Sequence, residues 1–302
     1  MDNYSSQGSV PGFPAPAARM GRWRASKLLV HQSWDLLKRD KELLLFPVMT
    51  IVLSLGALIL GVGMLVLFFV SGGAESLRQA DVSKVALDAG AYVLLFIIYF
   101  VLFFITTFMQ VGMVTIAYAR LQGQDLTFGN GISNAFGHIG KIFIWSLVAS
   151  TVGVVLKIIS DRSQLIGKIV ASLLGAAWGI LTFFIVPILV VENISIRESL
   201  KKSAAIIRRT WGEALIINIG LGLYFFLLAL VGIAVFVASF FTANLVFILV
   251  ALGLMILYFI FLALVSSVLG MIIRVVLYEY ANSGKIAEGF TPELIRSAIK
   301  VK

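Results

Sequence analysis

The chain has 302 residues, of which 60% are hydrophobic and 13% charged, and a formal net charge of +9. That balance excludes an ordinary soluble globular domain. With no cysteine, disulfides, Cys-ligated metals and thiol nucleophiles are excluded as well.

In chain order, residues 1–20, with Pro11, Pro14 and Pro16 among Ser, Gly and small apolar neighbours, read as a disordered tail. A single six-span membrane domain is expected over 21–302. Its apolar segments are 43–70, 89–119, 142–159, 169–191, 214–240 and 245–273. The first is 28 residues long, too long for the apolar part of a cleavable signal. The third is the shortest, with fifteen uncharged residues between Lys141 and Lys157. Both lysines lie near its ends, where their stems let the ammonium reach the headgroups. The last two segments divide one run, 214–273, that holds no Asp, Glu, Lys or Arg. As a single helix this run would measure roughly 90 Å, about three times the hydrocarbon core. It must fold back, and Phe241-Thr242-Ala243-Asn244 is its most polar break.

The basic residues sit between the apolar segments rather than in one basic domain, so the positive-inside rule explains the net charge better than nucleic acid does. With six spans and the N-terminus inside, the inner segments carry 7, 2, 5 and 5 basic residues, 19 of the 24 in the chain. Removing the third span puts the five basic residues between 197 and 209 on the wrong face. Six spans with both termini cytoplasmic are therefore expected.

Each inner segment ahead of a pair of spans has helical periodicity. In the third connection of this kind, Ile196, Leu200, Ile207 and Trp211 share one side, and Lys201, Lys202, Arg208 and Arg209 lie opposite. Ser195-Ile-Arg-Glu198 is a capping-box pattern at its start. Phe128, Ile132, Phe136 and Ile139 repeat at helical spacing, as do Trp23, Val30, Trp34 and Leu37. These elements read as interfacial helices with the apolar side toward lipid. Ser33-x-x-Leu36-Leu37-Lys38-Arg39 aligns with Ser203-x-x-Ile206-Ile207-Arg208-Arg209, and Ser133-x-x-Phe136 is a weaker echo. Either the chain repeats an interfacial helix plus hairpin three times, or two basic helices align by composition alone.

Candidate sites are few. Pro187 removes a backbone hydrogen bond late in the fourth segment, with Glu192 and Asn193 at its inner end. They mark either a kink around a polar site or a plain helix terminus. Ala171, Gly175 and Gly179 form a small-residue ridge for close helix packing. Thr106, Thr107, Gln110, Ser146, Ser150, Thr151, Asn218, Ser266 and Ser267 are among the few uncharged polar residues within spans. No Asp, Glu, Lys, Arg or His lies mid-span, which counts against ion-coupled transport. His31 and His138 lack metal-ligand spacing, no metal or cofactor is expected, and Gly129-Asn-Gly131 reads as a loop or cap signal.

The stretch from Pro187 through Glu192-Asn193, Ser195, Arg197-Glu198-Ser199-Leu200-Lys201-Lys202-Ser203 to Arg208-Arg209-Thr210-Trp211-Gly212-Glu213-Ala214-Leu215 resembles an uncharacterised prokaryotic six-helix membrane family, a domain of unknown function. It is also similar to the membrane domain fused to some glycerophosphodiester phosphodiesterases, although this chain has no room for the phosphodiesterase barrel. The resemblance implies the topology and brings no activity.

The fold class expected is all-α: a polytopic bundle of six transmembrane helices as three hairpins, with cytoplasmic interfacial amphipathic helices. The expected function is that of a non-enzymatic integral protein of a prokaryotic cell membrane. Its basic helices engage anionic lipid or a partner through Lys201, Lys202, Arg208, Arg209 and Trp211. Homo-oligomers stay open. The alternative is an uncoupled transporter or channel for a small or amphipathic solute, which needs a polar path lined by Gln110, Asn218 and the serines of the third span. An enzyme acting on lipid is the third reading, and Glu192 with His138 is the only acid–base pair it can draw on.

Overall fold

The computed structural model describes residues 22–68, 70–71, 84–161, 165–209, 213–242 and 244–284. The tail expected over 1–20 and Trp211 lie outside the described residues, as do the side chains of Trp23, Val30, Arg209 and Asn218.

Among the described residues all regular structure is helical. The helices are α1 (Arg22–Arg39), α2 (Leu45–Phe68), α3 (Lys84–Leu121), α4 (Phe128–Gly137), α5 (Ile139–Asp161), α6 (Ile166–Leu181), α7 (Ile185–Glu192), α8 (Ile196–Arg209), α9 (Glu213–Ser239) and α10 (Leu245–Ser283). Six stretches are long and apolar enough to cross a membrane: Lys41–Phe68, Gly90–Leu121, Ile139–Asp161, Ile166–Glu192, Leu221–Thr242 and Leu245–Ser283. The chain is a multi-pass membrane protein. The short third segment becomes a helix of 23 residues, about 35 Å long against a hydrocarbon core of about 30 Å. It gains that length because Lys141 and Lys157 lie inside the helix near its ends.

The chain forms two compact units, 42–116 with 125–204, and 1–41 with 117–124 and 205–302. In the four-span unit, packing concentrates where α2 and α5 begin and where α3 nears its end. Leu43, Phe46, Val111, Val114, Ile116 and Ile142 are buried there. The decisive contact is a backbone crossing. A Cβ on Gly131 of α4 would stand 2.8 Å from the carbonyl oxygen of Gly112 on α3, with the Phe46 ring equally close. Only glycine at both positions lets the two helices meet. Phe46 then covers the crossing and packs on Phe128 at 4.6 Å between centroids. The α5/α6 pair is keyed by Trp145 and Trp178, stacked 5.8 Å apart. Beyond its first turns α2 is exposed, with Ile59, Leu60 and Met64 facing outward. An apolar helix tolerates that where lipid is the solvent.

In the two-span unit, α9 and α10 form a hairpin around Gly232. A Cβ there would meet the Tyr258 ring at 2.7 Å, and the Tyr258 hydroxyl donates to the Leu228 carbonyl at 2.9 Å. The turn lies where the polar break falls: a 3-10 turn over Phe240–Thr242, then Asn244, whose side chain accepts from the Val246 and Phe247 N–H groups to cap α10. Helix α10 has 39 residues, about 58 Å of helix, and runs past the expected end at Ile273. Burial crowds its second half, at Val268, Ile272, Val276 and Tyr278. Helix α1 packs against both α9 and α10 with Ser33 and Leu37 buried. The last turn of α3 is held from two sides: Arg120 pairs with Asp40 at 2.8 Å, and Tyr118 hydrogen-bonds the Glu279 carboxylate.

Candidate functional site

The fourth span is not one helix. It stops at Thr182, turns through Phe183 and Phe184, and restarts as α7. Pro187 is the third residue of the restarted helix, where its missing N–H falls among the amides that lack an intrahelical partner anyway. Its ring would clash with the carbonyl of Phe183 in a continuous helix, which puts the break upstream of the proline rather than at it. Phe183 to Leu189 are all buried, and irregular backbone at membrane depth survives only in such protein surroundings.

The break exposes a donor, and α8 satisfies it. The Phe184 N–H donates to Ser203 Oγ at 3.2 Å, and Ser203 is fully buried. Near the other end of α7, Glu192 pairs with Lys202 at 2.6 Å. Asn193 closes α7 in the left-handed conformation with φ 53, a geometry asparagine accepts more readily than most residues. Two residues later Ser195 and Glu198 cap α8 reciprocally: the Glu198 N–H donates to Ser195 Oγ, and the Ser195 N–H donates to Glu198 Oε2. The next helix, α8, then starts at Ile196 and meets the start of α7 through Ser203 and its end through Lys202.

The buried residues of α8 are Ile196, Ser199, Ser203 and Ile206. Leu200 and Ile207, expected to lead the apolar side, are only half-buried. Ser199 keeps its hydroxyl on the Ser195 carbonyl of its own helix. Opposite the buried residues, Arg197, Lys201 and Arg208 are exposed. At 3.6 residues per turn they fall within about 40° of one another. Lys202 is part-buried on its ion pair. Glu198 is exposed, and its hydrogen bonds from the Ser195 hydroxyl and N–H hold its carboxyl below the ordinary 4.5.

A second contact ties the same region to α5. Lys141 donates to both the carbonyl and the side-chain oxygen of Asn193. One turn back, the His138 ring nitrogen Nδ1 lies 2.8 Å from the Asn134 carbonyl, and the Asn134 amide donates to Thr115 Oγ1. The two members of the acid–base pair available from sequence are thus engaged separately, His138 by Asn134 and Glu192 by Lys202.

The uncharged polar residues of the third span turn to their own helix. Ser146 donates to the Ile142 carbonyl, and Ser150 and Thr151 to that of Leu147. Of the small-residue ridge, Gly175 lies near Leu156 of α5, 3.6 Å from its Cβ position. Gly179 has no atom within 4 Å of its own, and Ala171 is half-buried.

Sequence reading missed Ser203 and Arg197. The signal for Arg197 was present, since it shares a helix edge with Lys201 and Arg208. Ser203 stood in the sequence only as the start of the repeated Ser203-x-x-Ile206 pattern, and its partner sits in a break that hydropathy does not register.

No curated protein and no solved structure matches the chain. The family described as a family of unknown function (DUF6159) matches residues 89–289, more than half of the sequence, and the chain belongs to that family.

Proposed function

We propose that this is a non-enzymatic integral protein of a prokaryotic cell membrane that engages anionic lipid through α8, an amphipathic helix at the cytoplasmic face. The observation that carries the reading is the two-sided use of α8. One side is buried, at Ser199, Ser203 and Ile206, and the other presents Arg197, Lys201 and Arg208. Cations beside an anionic leaflet contribute about 1 kcal/mol each, and such residues accumulate on the cytoplasmic side. Both termini then lie in the cytoplasm. The transporter reading draws no such support, because the serines of the third span bond their own backbone.

The test is full-length protein in nanodiscs of phosphatidylcholine doped with spin-labelled phosphatidylglycerol or spin-labelled phosphatidylcholine. Neutralising Arg197, Lys201, Lys202, Arg208 and Arg209 together is expected to abolish the preference for the anionic label. A preference that survives all five substitutions contradicts the function.

A further inference from the structure

We infer that α8 divides its cations, so that Arg197, Lys201 and Arg208 form one edge for phosphate-bearing lipid headgroups while Lys202 is a strut that fastens the helix to α7. The inference rests on the lipid reading above and assigns roles within it.

Sequence alone groups Lys201, Lys202 and Arg208 as equivalent charges. The geometry separates them. Lys202 Nζ lies 2.6 Å from Glu192 Oε1, with side chains 34% and 18% exposed. That pair sits at the foot of α7, one residue from the left-handed Asn193 that Lys141 also grips. Engaging a headgroup would require Lys202 to give up this partly desolvated ion pair, which costs more than turning an exposed cation toward a phosphate.

The other three cations of α8 whose side chains are described are placed differently. Arg197, Lys201 and Arg208 are exposed and form no ion pair with another described residue. They recur after one turn and then after two, about 6 Å and about 10 Å apart along the axis. The spacing lets neighbouring phosphates be held side by side. The occupant follows from charge complementarity and from what each guanidinium does well: a planar fork matches two phosphate oxygens, and an ammonium serves as a point charge. Glu198 is the one acidic residue on this part of the helix. Its carboxylate is turned to Ser195 as a cap, and its charge reaches Lys201. The two arginines therefore carry more of the selectivity than Lys201.

The same nanodisc measurement with separated variants is the test. Arg197→Gln, Lys201→Gln and Arg208→Gln combined should bring the preference for phosphatidylglycerol down to the phosphatidylcholine baseline, at about fivefold per charge, with Lys201→Gln alone the mildest. Lys202→Gln should retain the preference within about twofold while lowering the thermal midpoint. Should Lys202→Gln prove too unstable, Glu192→Gln breaks the same pair, and it too should leave the preference intact. If the triple variant keeps its preference and only the five-residue variant loses it, the division is wrong and the lipid reading stands. If Lys202→Gln costs as much selectivity as Arg197→Gln, the strut is overturned. If neither combined variant changes lipid selectivity, the edge serves a protein partner or bulk solvent and both readings fall.

Discussion

Ser203 and Phe184 are nineteen residues apart, yet the hydroxyl takes the place of the helical carbonyl that the break at 182–184 removed. Ser203→Ala should remove this hydrogen bond from a buried N–H and cost about 1–3 kcal/mol, read as a lower midpoint in denaturing-detergent titration. Ser199→Ala, whose hydroxyl only backs onto its own helix, should cost far less, and equal losses would refute the assignment. Glu198 gives a second residue-scale test. Its carboxyl is depressed by the Ser195 bonds, so the stabilisation they supply is fully present above the ordinary 4.5 and is lost as pH falls through the folded value. Carbon-13 titration of Glu198 should show a folded pKa below 4.5 that returns to the ordinary value in Ser195→Ala. The cap was readable in Ser195-Ile-Arg-Glu198 because its partners are three residues apart. The Ser203 contact was not, because a long-range partner leaves no periodic trace.

At the scale of elements, glycine decides how α4 meets α3. Gly131→Ala would drive a Cβ to 2.8 Å from the Gly112 carbonyl oxygen, and backbone cannot swing aside as a side-chain tip does. The expected loss is about 1–3 kcal/mol, measured by thermal unfolding in detergent. Gly140→Ala, with nothing within 4 Å, should be neutral or stabilising, since alanine favours helix. Parity between the two would contradict the crossing. The six apolar stretches were legible because a span must satisfy its backbone within itself, which forces long uncharged runs. The split of the fourth into α6 and α7 was only half legible. Pro187 announces a break, but the surroundings decide where it falls, and here it falls upstream. Gly129-Asn-Gly131 reads locally as a loop or cap. In fact Thr127 and Asn130 do cap α4, while Gly131 is inside the helix for the sake of a contact that local sequence does not encode.

For the molecule as a whole, hydropathy and the distribution of Lys and Arg carry the architecture, and the ties that hold distant segments are charged or polar. Asp40 is 3% exposed and pairs with Arg120, eighty residues on. Asp40→Asn should destabilise by less than the about 3–5 kcal/mol of a fully buried pair, because Arg120 remains 27% exposed. Adding Arg120→Met should recover part of the loss in the same detergent titration, and a purely additive double variant would deny the coupling. Glu279 escaped the sequence reading for a related reason. It lies past Ile273, where the uncharged run ends, yet α10 continues to Ser283 and carries it into a buried setting. The chain contains no cysteine, so single cysteines report position without background. In sealed vesicles treated with a membrane-impermeant maleimide, Lys201→Cys should react only when the vesicles are inside-out, and Ser203→Cys should stay protected in either orientation. Labelling of Lys201→Cys in right-side-out vesicles would contradict a cytoplasmic α8.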